Sequence, residues 1–351
     1  MHAPPSTSET PPPVGSPPPS TEVAICAEGL IKDYGEHRVL DHFDLSVAAG
    51  TVCGLLGRNG AGKTTAVRIL TTLLHADGGR AQVAGADVAD QADLVRHRIG
   101  LSGQEPAIDE ILSGRQNLVL FGRLNGLSRR DARRRAEQLL EQLGLTDAAD
   151  RPVKRYSGGM RRRLDLGVTL LLAPQVLFLD EPTTGLDPRN RSEVWTAIRS
   201  FVERGTTVLL TTQYLDEADQ LADDVVVMET GRVIARGTPD ELKALVGADR
   251  LDVVLERRSG DELERARTIV ERAADGALEV DSGTGTISAP VAHRARALSA
   301  VVQELAAAGI DVADIGLRRP TLDDVFLQLT GHPTRAADDG DATDEAEEVA
   351  A

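Results

Sequence analysis

The sequence predicts an α/β fold with a central parallel sheet, followed by a small α+β domain. Two short apolar runs, 52–56 and 176–179, lie between polar or glycine-rich segments. Such runs are typical of strands buried on both faces of a parallel sheet. After about residue 248 the pattern changes to β-α-β-β-α-β. That order of elements is the one found in ferredoxin-like units.

A glycine-rich loop joins the first apolar run to a helix start, with the spacing G-x-x-x-x-G-K-[ST] of a phosphate-binding loop. It consists of Gly57, Arg58, Asn59, Gly60, Ala61, Gly62, Lys63, Thr64 and Thr65. The glycines let successive N–H groups point at one anion, and the helix adds the positive end of its dipole. Lys63 would reach the β- and γ-phosphates of ATP, and the Thr64 hydroxyl would bind Mg²⁺. A plain glycine-rich turn is the alternative, and the later motifs argue against it.

An acidic pair, Asp180 and Glu181, ends the second apolar run. The carboxyl end of a parallel strand is where ligands bind in open α/β sheets. Asp180 suits a contact with Mg²⁺. Glu181 leaves the strand at a different angle and suits orienting or deprotonating a water molecule.

A second anion site is predicted in the segment 156–160, Tyr-Ser-Gly-Gly-Met. Ser157 is placed to cap the following helix, and Gly158 and Gly159 leave the amides of its first turn accessible. This loop has no lysine of its own. Taken alone, the motif is weak evidence.

The segments around these motifs predict two subdomains. Strand-like runs before the phosphate loop predict a β-subdomain, and charged amphipathic segments predict a helical subdomain at about 109–160. Tyr34 either packs in the sheet or offers its ring to an adenine. The arginines between 129 and 135 form either a solvated helix face or a contact with a partner.

The chain as a whole divides into four predicted parts. Residues 1–21 are a proline-rich disordered leader, and 22–247 form the ATP-binding domain. Residues 248–331 form a C-terminal regulatory or dimerisation domain, and 332–351 form a disordered acidic tail. The C-terminal domain shows no candidate chemistry of its own.

The last predicted helix, 321–329, carries one apolar stripe formed by Leu322, Val325, Phe326 and Leu329. Two interpretations stay open at this point. The stripe either completes the core of its own domain, or it packs on the ATPase core or a second subunit and keeps a dimer in register.

Composition limits the classes of partner. The net charge of −16 argues against nucleic-acid binding, which usually requires a basic surface. The longest uncharged stretch, 166–179, is shorter than the roughly 20 residues that a membrane-spanning helix needs. We expect no signal peptide, and any work at a membrane would be that of a peripheral subunit.

Five features occur in the order found in an ABC-transporter ATP-binding subunit, and the resemblance covers about residues 22–247. They are the loop at 57–64, Gln104, the segment 156–160, the pair Asp180 and Glu181, and Gly185-Leu186-Asp187. The resemblance implies that the acidic pair is the Walker B pair and that Gln104 is the Q-loop glutamine, close to nucleotide and Mg²⁺. It also implies that Tyr34 is the A-loop aromatic and that Asp187 is the D-loop acid.

Three further stretches, 156–163, 211–218 and 322–327, resemble the daunorubicin-resistance type of bacterial drug exporter. This resemblance implies an ATP-hydrolysing subunit that energises export of a drug or antibiotic-like compound through a separate polytopic membrane permease. The subunit would lie on the cytoplasmic face of the cell membrane. Because the loop at Ser157 has no lysine, it would complete the site of a second copy, so that two chains close around two ATP molecules.

Two residues depart from the wider family. Met160 stands where a glutamine is usual, which the serine and backbone amides of this loop should tolerate. Gln213 stands where the family has a histidine that senses the γ-phosphate. Since an amide can donate a hydrogen bond but cannot carry a proton, Glu181 is preferred as the general base, with Gln213 as the second catalytic candidate.

Two other functions compete with transport. A DNA-repair or translation ATPase of the same superfamily would carry a long coiled-coil insertion or a second cassette, and the sequence shows neither. A regulatory protein that binds ATP without appreciable hydrolysis is the other alternative, and Glu181 argues against it.

Overall fold

The computed structural model describes residues 22–103, 107–246, 249–256, 260–281 and 283–331. The predicted leader 1–21, the tail 332–351 and Gln104 lie outside these ranges. No helix in the described ranges is both long enough and apolar enough to cross a membrane.

The elements follow one another in three groups. The first is β1 (Val23–Tyr34), β2 (His37–Ala48), β3 (Val52–Gly57), α1 (Lys63–Leu70), β4 (Gly78–Val83), β5 (Ala86–Asp87), α2 (Ala92–Arg98) and β6 (Ile99–Ser102). The second is α3 (Gly114–Leu124), α4 (Arg129–Gln142), α5 (Gly158–Thr169), β7 (Val176–Asp180), α6 (Pro188–Val202), β8 (Thr207–Thr212), α7 (Leu215–Leu221), β9 (Asp224–Glu229), β10 (Arg232–Gly237) and α8 (Pro239–Val246). The third is β11 (Arg250–Leu255), α9 (Gly260–Ala273), β12 (Glu279–Asp281), β13 (Thr286–Pro290), α10 (Arg294–Ala307), β14 (Val312–Arg318) and α11 (Leu322–Thr330).

A six-stranded sheet in the order β10-β9-β3-β8-β7-β6 forms the centre of the cassette. Its strands are parallel except for β10, which pairs antiparallel with β9. Every residue of β3, β7 and β8 is buried, which explains why the sequences of these strands are mainly apolar. The predicted α/β fold is confirmed. The carboxyl ends of these three strands meet at one edge, so the segments that follow them lie together.

The predicted β-subdomain is an antiparallel sheet in the order β2-β1-β4-β5. The strand-like stretch that begins at Val23 corresponds to β1. The structure shows one strand with a register shift between Ala27 and Leu30, where Gly29 has a φ of 57°. Glycine adopts this left-handed conformation without a steric penalty, so the strand bends at the bulge and continues.

Helices α3, α4 and α5 form the helical subdomain. The spacing of Ser113 and Gln116 predicts a capping box, which is present at the start of α3, and Ser128 caps α4. The charged face of α4 is exposed at residues 129, 130, 133 and 134, as one interpretation predicted. Arg135 differs, because its guanidinium donates to the carbonyls of Leu170 and Leu171 and so satisfies the end of α5.

The C-terminal unit has the predicted ferredoxin-like topology. Its sheet is antiparallel in the order β12-β13-β11-β14, and α9 and α10 pack on it. Val253, Val270, Ile287 and Val301 belong to its core. This core is separate from the two cores of the cassette.

The last helix, α11, packs on the cassette instead of on its own sheet. Leu322, Val325 and Phe326 are buried in one cluster with cassette residues from β3, α7, β9 and α8, namely Leu56, Leu215, Ala218, Ala222, Val225, Val227 and Leu242. Of the two interpretations of the apolar stripe, the structure therefore favours packing on the ATPase core. Leu329, the fourth residue of the stripe, is 38% exposed.

Candidate nucleotide-binding site

The phosphate-binding loop runs from the end of β3 to Lys63, where α1 begins. Two of its glycines have no room for a side chain. A Cβ on Gly57 would lie 2.6 Å from the Met228 carbonyl oxygen, and one on Gly62 would lie 2.8 Å from the Val39 oxygen. Gly62 also has a φ of 103°, a region open to glycine. Steric contacts therefore require glycine at these two positions of the motif.

Lys63 is buried and bends back over the loop. Its Nζ donates to the Gly57 oxygen at 2.6 Å and to the Arg58 oxygen at 3.1 Å, which uses two of its three N–H groups. Burial lowers the pKa of Lys63, and the nearby Glu181 and Asp180 carboxylates act in the opposite direction. The ammonium is thus an anchored positive charge in the wall of the cleft.

This cleft has a volume of about 460 Å³. Its walls are formed by the loop, the start of α1, the β1–β2 hairpin and the second residue of the acidic pair. The lining residues are His37, Val39, Arg58, Asn59, Gly60, Gly62, Lys63, Thr64, Thr65 and Glu181. Loop amides, an ammonium and a helix N-terminus form an environment suited to a polyphosphate.

Asp180 lies beside Thr64, which lines the cleft. The Thr64 Oγ1 is 3.4 Å from the Asp180 Oδ2, and the Thr211 hydroxyl donates to the other carboxylate oxygen. Mg²⁺ prefers hard oxygen ligands and is commonly held by one or two protein groups together with substrate phosphates and water. A hydroxyl and a carboxylate at this spacing fit such a site.

Glu181 follows Asp180 but turns away from it. Its φ of 49° is in the left-handed region, which is strained for a residue other than glycine by about 1–3 kcal/mol. Its N–H lies 3.1 Å from both the carbonyl oxygen and the hydroxyl of Thr211, and its Oε2 accepts from the Thr184 hydroxyl. The turn brings the carboxylate to the cleft wall, where the predicted general base belongs.

Gln213, the second catalytic candidate, follows β8 and lines a different cavity of about 520 Å³. This second cavity lies on another side of the phosphate loop. Its walls include Gly57, Arg58, Asn59, Gly60, Ala61, Gln213, Met228, Glu229, Thr230 and Phe326. Gln213 and the apolar helix α11 therefore meet at the same cavity.

Tyr34 is 47% exposed, and the Lys32 ammonium lies 5.7 Å from its ring centroid. The cleft wall in this region is formed by His37, which pairs with Tyr34 across the hairpin. Sequence reasoning missed His37. Its signal was its position directly after a two-residue turn, opposite the aromatic residue. The adenine contact of Tyr34 stays a prediction.

The second predicted anion site lies at the start of α5. Ser157 is exposed and its hydroxyl accepts from the Met160 N–H, which confirms the predicted cap. A Cβ on Gly159 would lie 2.2 Å from the Asn190 Oδ1, so this glycine is required for packing on α6. Asp187 caps α6, and hydrogen bonds from Asn190 lower the pKa of Asp187. The structure thus groups the Ser157 loop with Asp187.

Glu217 on α7 is a buried acid that sequence reasoning missed. Its Oε1 accepts from Thr183 Oγ1 at 2.9 Å and from Trp195 Nε1 at 3.1 Å, whereas its Oε2 has no hydrogen-bond partner among the described residues. Burial raises the pKa of Glu217, and the hydrogen bonds from Thr183 and Trp195 act against this. Its only sequence signal was an acid between the apolar positions of a short helix.

The stability of the protein should depend on pH through Glu217. Folding raises the pKa of this carboxyl above its unfolded value of about 4.3. Its contribution to the free energy of unfolding is therefore fully present below the unfolded pKa, and this contribution is lost as pH rises through the folded pKa. We expect Glu217→Gln to remove this dependence, so that the wild type loses stability relative to the variant as pH rises.

Urea unfolding between pH 4.5 and 7.5 would measure this difference, with Glu203→Gln, an exposed acid at the end of α6, as the control. If the amide of the Gln variant stays unpaired, the free energy of unfolding of this variant is lower by about 1–3 kcal/mol at every pH. A difference in free energy of unfolding that does not change with pH would contradict the prediction.

Comparisons with known proteins agree with this geometry. The family described as ABC transporter matches residues 40–184, and the family described as ATP-binding protein DrrA1-3-like, C-terminal domain matches residues 237–330. The solved structure of cbiO1 from Clostridium perfringens, described as part of the ABC transporter complex cbiONQ, has a TM-score of 0.59 and 28% identity. It covers 64% of this chain and 93% of its own.

Curated relatives match nearly the whole length. The daunorubicin resistance ATP-binding protein DrrA2 of Streptomyces coeruleorubidus is 61% identical over 311 residues, which is 89% of this chain and 96% of that protein. The daunorubicin/doxorubicin resistance ATP-binding protein DrrA of Streptomyces peucetius is 49% identical over 93% of this chain and 97% of its own length. With a phosphate-binding loop, the acidic pair at the end of β7 and the DrrA-like C-terminal unit in one chain, this protein belongs to the ATP-binding subunits of ABC transporters, within the daunorubicin-resistance subfamily, and is an ATPase of that family.

Proposed function

We propose that this chain binds ATP with Mg²⁺ and hydrolyses it to energise export of a drug or antibiotic-like compound through a separate membrane permease. The observation that carries the proposal is the convergence of Lys63 and Glu181 on one cleft, with Thr64 and Asp180 beside them. The class of compound rests on the two relatives named for daunorubicin and doxorubicin resistance.

Each residue of the cleft has a distinct task in this proposal. Lys63 and the loop amides hold the β- and γ-phosphates, while Thr64 and Asp180 hold Mg²⁺, which neutralises phosphate charge when it is bound. Glu181 accepts the proton of the attacking water or orients it. Gln213, which lines the neighbouring cavity, stays the second catalytic candidate through a hydrogen bond that its amide can donate.

The proposed active unit contains two copies of the chain. The loop of Ser157, Gly158 and Gly159 presents a capped helix N-terminus but no cation, and Ser157 and Gly158 are exposed. A second chain would supply the phosphates that this N-terminus binds, and Asp187 beside it would face the same interface. Two ATP molecules would then be enclosed between the two chains.

A subunit that energises a membrane permease must contact that permease where ATP is available. We therefore place the chain at the cytoplasmic face of the cell membrane as a peripheral subunit, without a role for nucleic acid. The net charge of −16 supports the exclusion of nucleic acid.

The transport function is tested by producing the chain together with a candidate polytopic membrane permease. Inverted membrane vesicles should accumulate daunorubicin when ATP is supplied and should fail to do so with the Lys63→Ala chain. Equal accumulation with and without the functional chain would exclude drug export by this pair.

We further propose that the C-terminal domain, 248–331, regulates the cassette or its dimer through α11. Phe326 is 2% exposed, belongs to the cluster shared with the cassette and lines the second cavity with Gln213 and the phosphate loop. A shift of this helix would therefore move a side chain that lines the same cavity as the phosphate loop.

Phe326→Leu should lower the ATP affinity a few-fold, because the smaller side chain loosens the cavity wall next to the loop. Its effect on stability should be small, about 1 kcal/mol. Calorimetric ATP titration and ATP-dependent dimerisation would measure the effect, with Leu327→Ala as control, because Leu327 is 46% exposed on the same helix. Identical results for the two variants would contradict the regulatory role.

A further inference from the structure

Helix α5 buries two charged side chains that the site described above does not use. The side chains of Arg162 and Asp165 are 7% and 4% exposed, and the Arg162 Nη1 lies 3.5 Å from the Asp165 Oδ2. A buried ion pair is stabilising only when further hydrogen bonds satisfy its remaining donors and acceptors. The identity of those partners therefore indicates what the pair does.

The partners of Arg162 flank the proposed general base. Its Nε donates to the Pro182 oxygen at 2.8 Å, and its Nη2 lies 3.4 Å from the Asp180 oxygen. These are the carbonyls on either side of Glu181. Because the backbone of Glu181 is strained, it must be held by its surroundings, and Arg162 supplies two of the contacts that hold it.

The same guanidinium and its acid also reach the strand beside β7. Arg162 Nη1 donates to the Gly103 oxygen at 2.8 Å, and Asp165 accepts from the Ser102 hydroxyl at 2.8 Å. The other oxygen of Asp165 accepts from the Ala107 N–H at 2.9 Å. The pair therefore ties α5 to the ends of both β6 and β7.

The N-terminus of α5 carries the Ser157 loop, which the proposed function assigns to the ATP site of the second copy. We propose that Arg162 and Asp165 are positioning residues that make this helix and the Glu181 backbone move together. When a second chain closes on the Ser157 loop of the first chain, this movement positions the Glu181 carboxylate of the first chain at its own ATP site. Each ATP site therefore affects hydrolysis at the other, and the two sites act cooperatively. The inference rests on the proposed ATP-sandwich dimer.

The guanidinium is suited to this task in a way that an ammonium is not. Its planar fork presents donors in fixed directions to three separate carbonyls, whereas a lysine offers one point charge on a shorter reach. Arg162→Lys keeps the positive charge beside Asp165 and removes the simultaneous contacts with Pro182, Asp180 and Gly103. Asp165→Asn keeps the volume and removes the negative charge.

A matched control is available on the same helix. Arg163 is also largely buried, with 14% of its side chain exposed, but it pairs with Glu193 and donates to the Leu143 oxygen. Its contacts thus lie away from Glu181. Arg163→Lys reports the effect of shortening a buried arginine of α5 without touching the acidic pair.

The experiment measures ATP hydrolysis by the full chain as a function of ATP concentration, together with the melting temperature of each variant. For Arg162→Lys and Asp165→Asn we expect kcat to fall by about 10- to 100-fold, the size expected for a misplaced catalytic group, with little change in KM. The Hill coefficient should fall towards 1. The melting temperature of Arg162→Lys, which keeps the positive charge beside Asp165, should stay close to that of Arg163→Lys, whereas Asp165→Asn should melt lower because it leaves a buried charge unpaired.

A double-mutant cycle adds a readout that a purely structural role would not move. In a Glu181→Gln background, Arg162→Lys should lower hydrolysis by less than about twofold further, because its effect passes through Glu181. The inference is overturned if the two effects multiply, if kcat and the Hill coefficient stay at wild-type values, or if Arg163→Lys behaves in the same way. A wild type without any ATPase activity would instead refute the proposed function.

Discussion

Glu181→Gln is expected to bind ATP as the wild type does and to hydrolyse it roughly 10²–10⁴-fold more slowly. The amide has almost the same size as the carboxylate and can keep the hydrogen bond that Thr184 donates. It cannot accept a proton from water, so the variant loses the general base and little else. Lys63, Thr64 and Asp180 remain in place to hold the nucleotide.

Steady-state phosphate release would measure the loss of turnover, and a calorimetric titration would measure ATP affinity. Glu203→Gln is a suitable control, because Glu203 is an exposed acid at the C-terminal end of α6. A Glu181→Gln variant that turns over at the wild-type rate would exclude Glu181 as the base. Attention would then return to Gln213 and the second cavity.

The same variant separates chemistry from assembly. If two copies enclose two ATP molecules, blocking hydrolysis should trap the closed pair. Size-exclusion chromatography with ATP should then show a dimer for Glu181→Gln and mainly a monomer for the wild type after turnover. A variant that stays monomeric at saturating ATP would contradict the dimer while leaving the role of Glu181 intact.

Local motifs explain why much of the site was predictable from sequence. The phosphate loop, the helix caps at Ser113, Ser157 and Thr321, and the strand ending at Asp180 depend on residues that are neighbours in the chain. Their geometry follows from spacing, glycine sterics and capping chemistry. The parallel sheet then brings the carboxyl ends of β3, β7 and β8 to one edge.

Features that depend on distant partners were not predictable in this way. Helices α2 and α7 are seven residues long and were missed, since one or two turns give little periodicity. Glu217 and Arg162 look like surface charges in the sequence and are buried by contacts with Thr183 and Pro182. Their roles are set by tertiary structure.

The placement of α11 shows the same limit at a larger scale. Its apolar stripe was evident from the spacing of Leu322, Val325 and Phe326, but the stripe does not specify which surface it covers. In the structure it covers the cassette, where β9, a strand of this cluster, ends at Glu229, more than 90 residues before α11 begins at Leu322. An amphipathic pattern predicts that a face is buried, and only the fold identifies its partner.

Lys63→Ala should remove most of the ATP affinity without unfolding the protein. A hydrogen bond to a charged group contributes about 1.5–3 kcal/mol, so losing the ammonium should weaken binding by roughly 10- to 100-fold or more. Stability should change little, because burial already disfavours the charged ammonium and lowers the pKa of Lys63. The carbonyls of Gly57 and Arg58, which lose their donor, line the open cleft or the cavity beside it.

Calorimetric titration with ATP and Mg²⁺ would measure the Lys63→Ala effect, and a thermal melt would show that the variant is folded. Arg68→Ala is the matched control, because Arg68 is an exposed cation on α1, one turn beyond the loop. It should bind ATP as the wild type does. Undiminished binding by a folded Lys63→Ala variant would refute the phosphate-binding role of the loop. Loss of binding here, beside retained binding in Glu181→Gln, would instead separate the residue that holds the phosphates from the residue that acts on water.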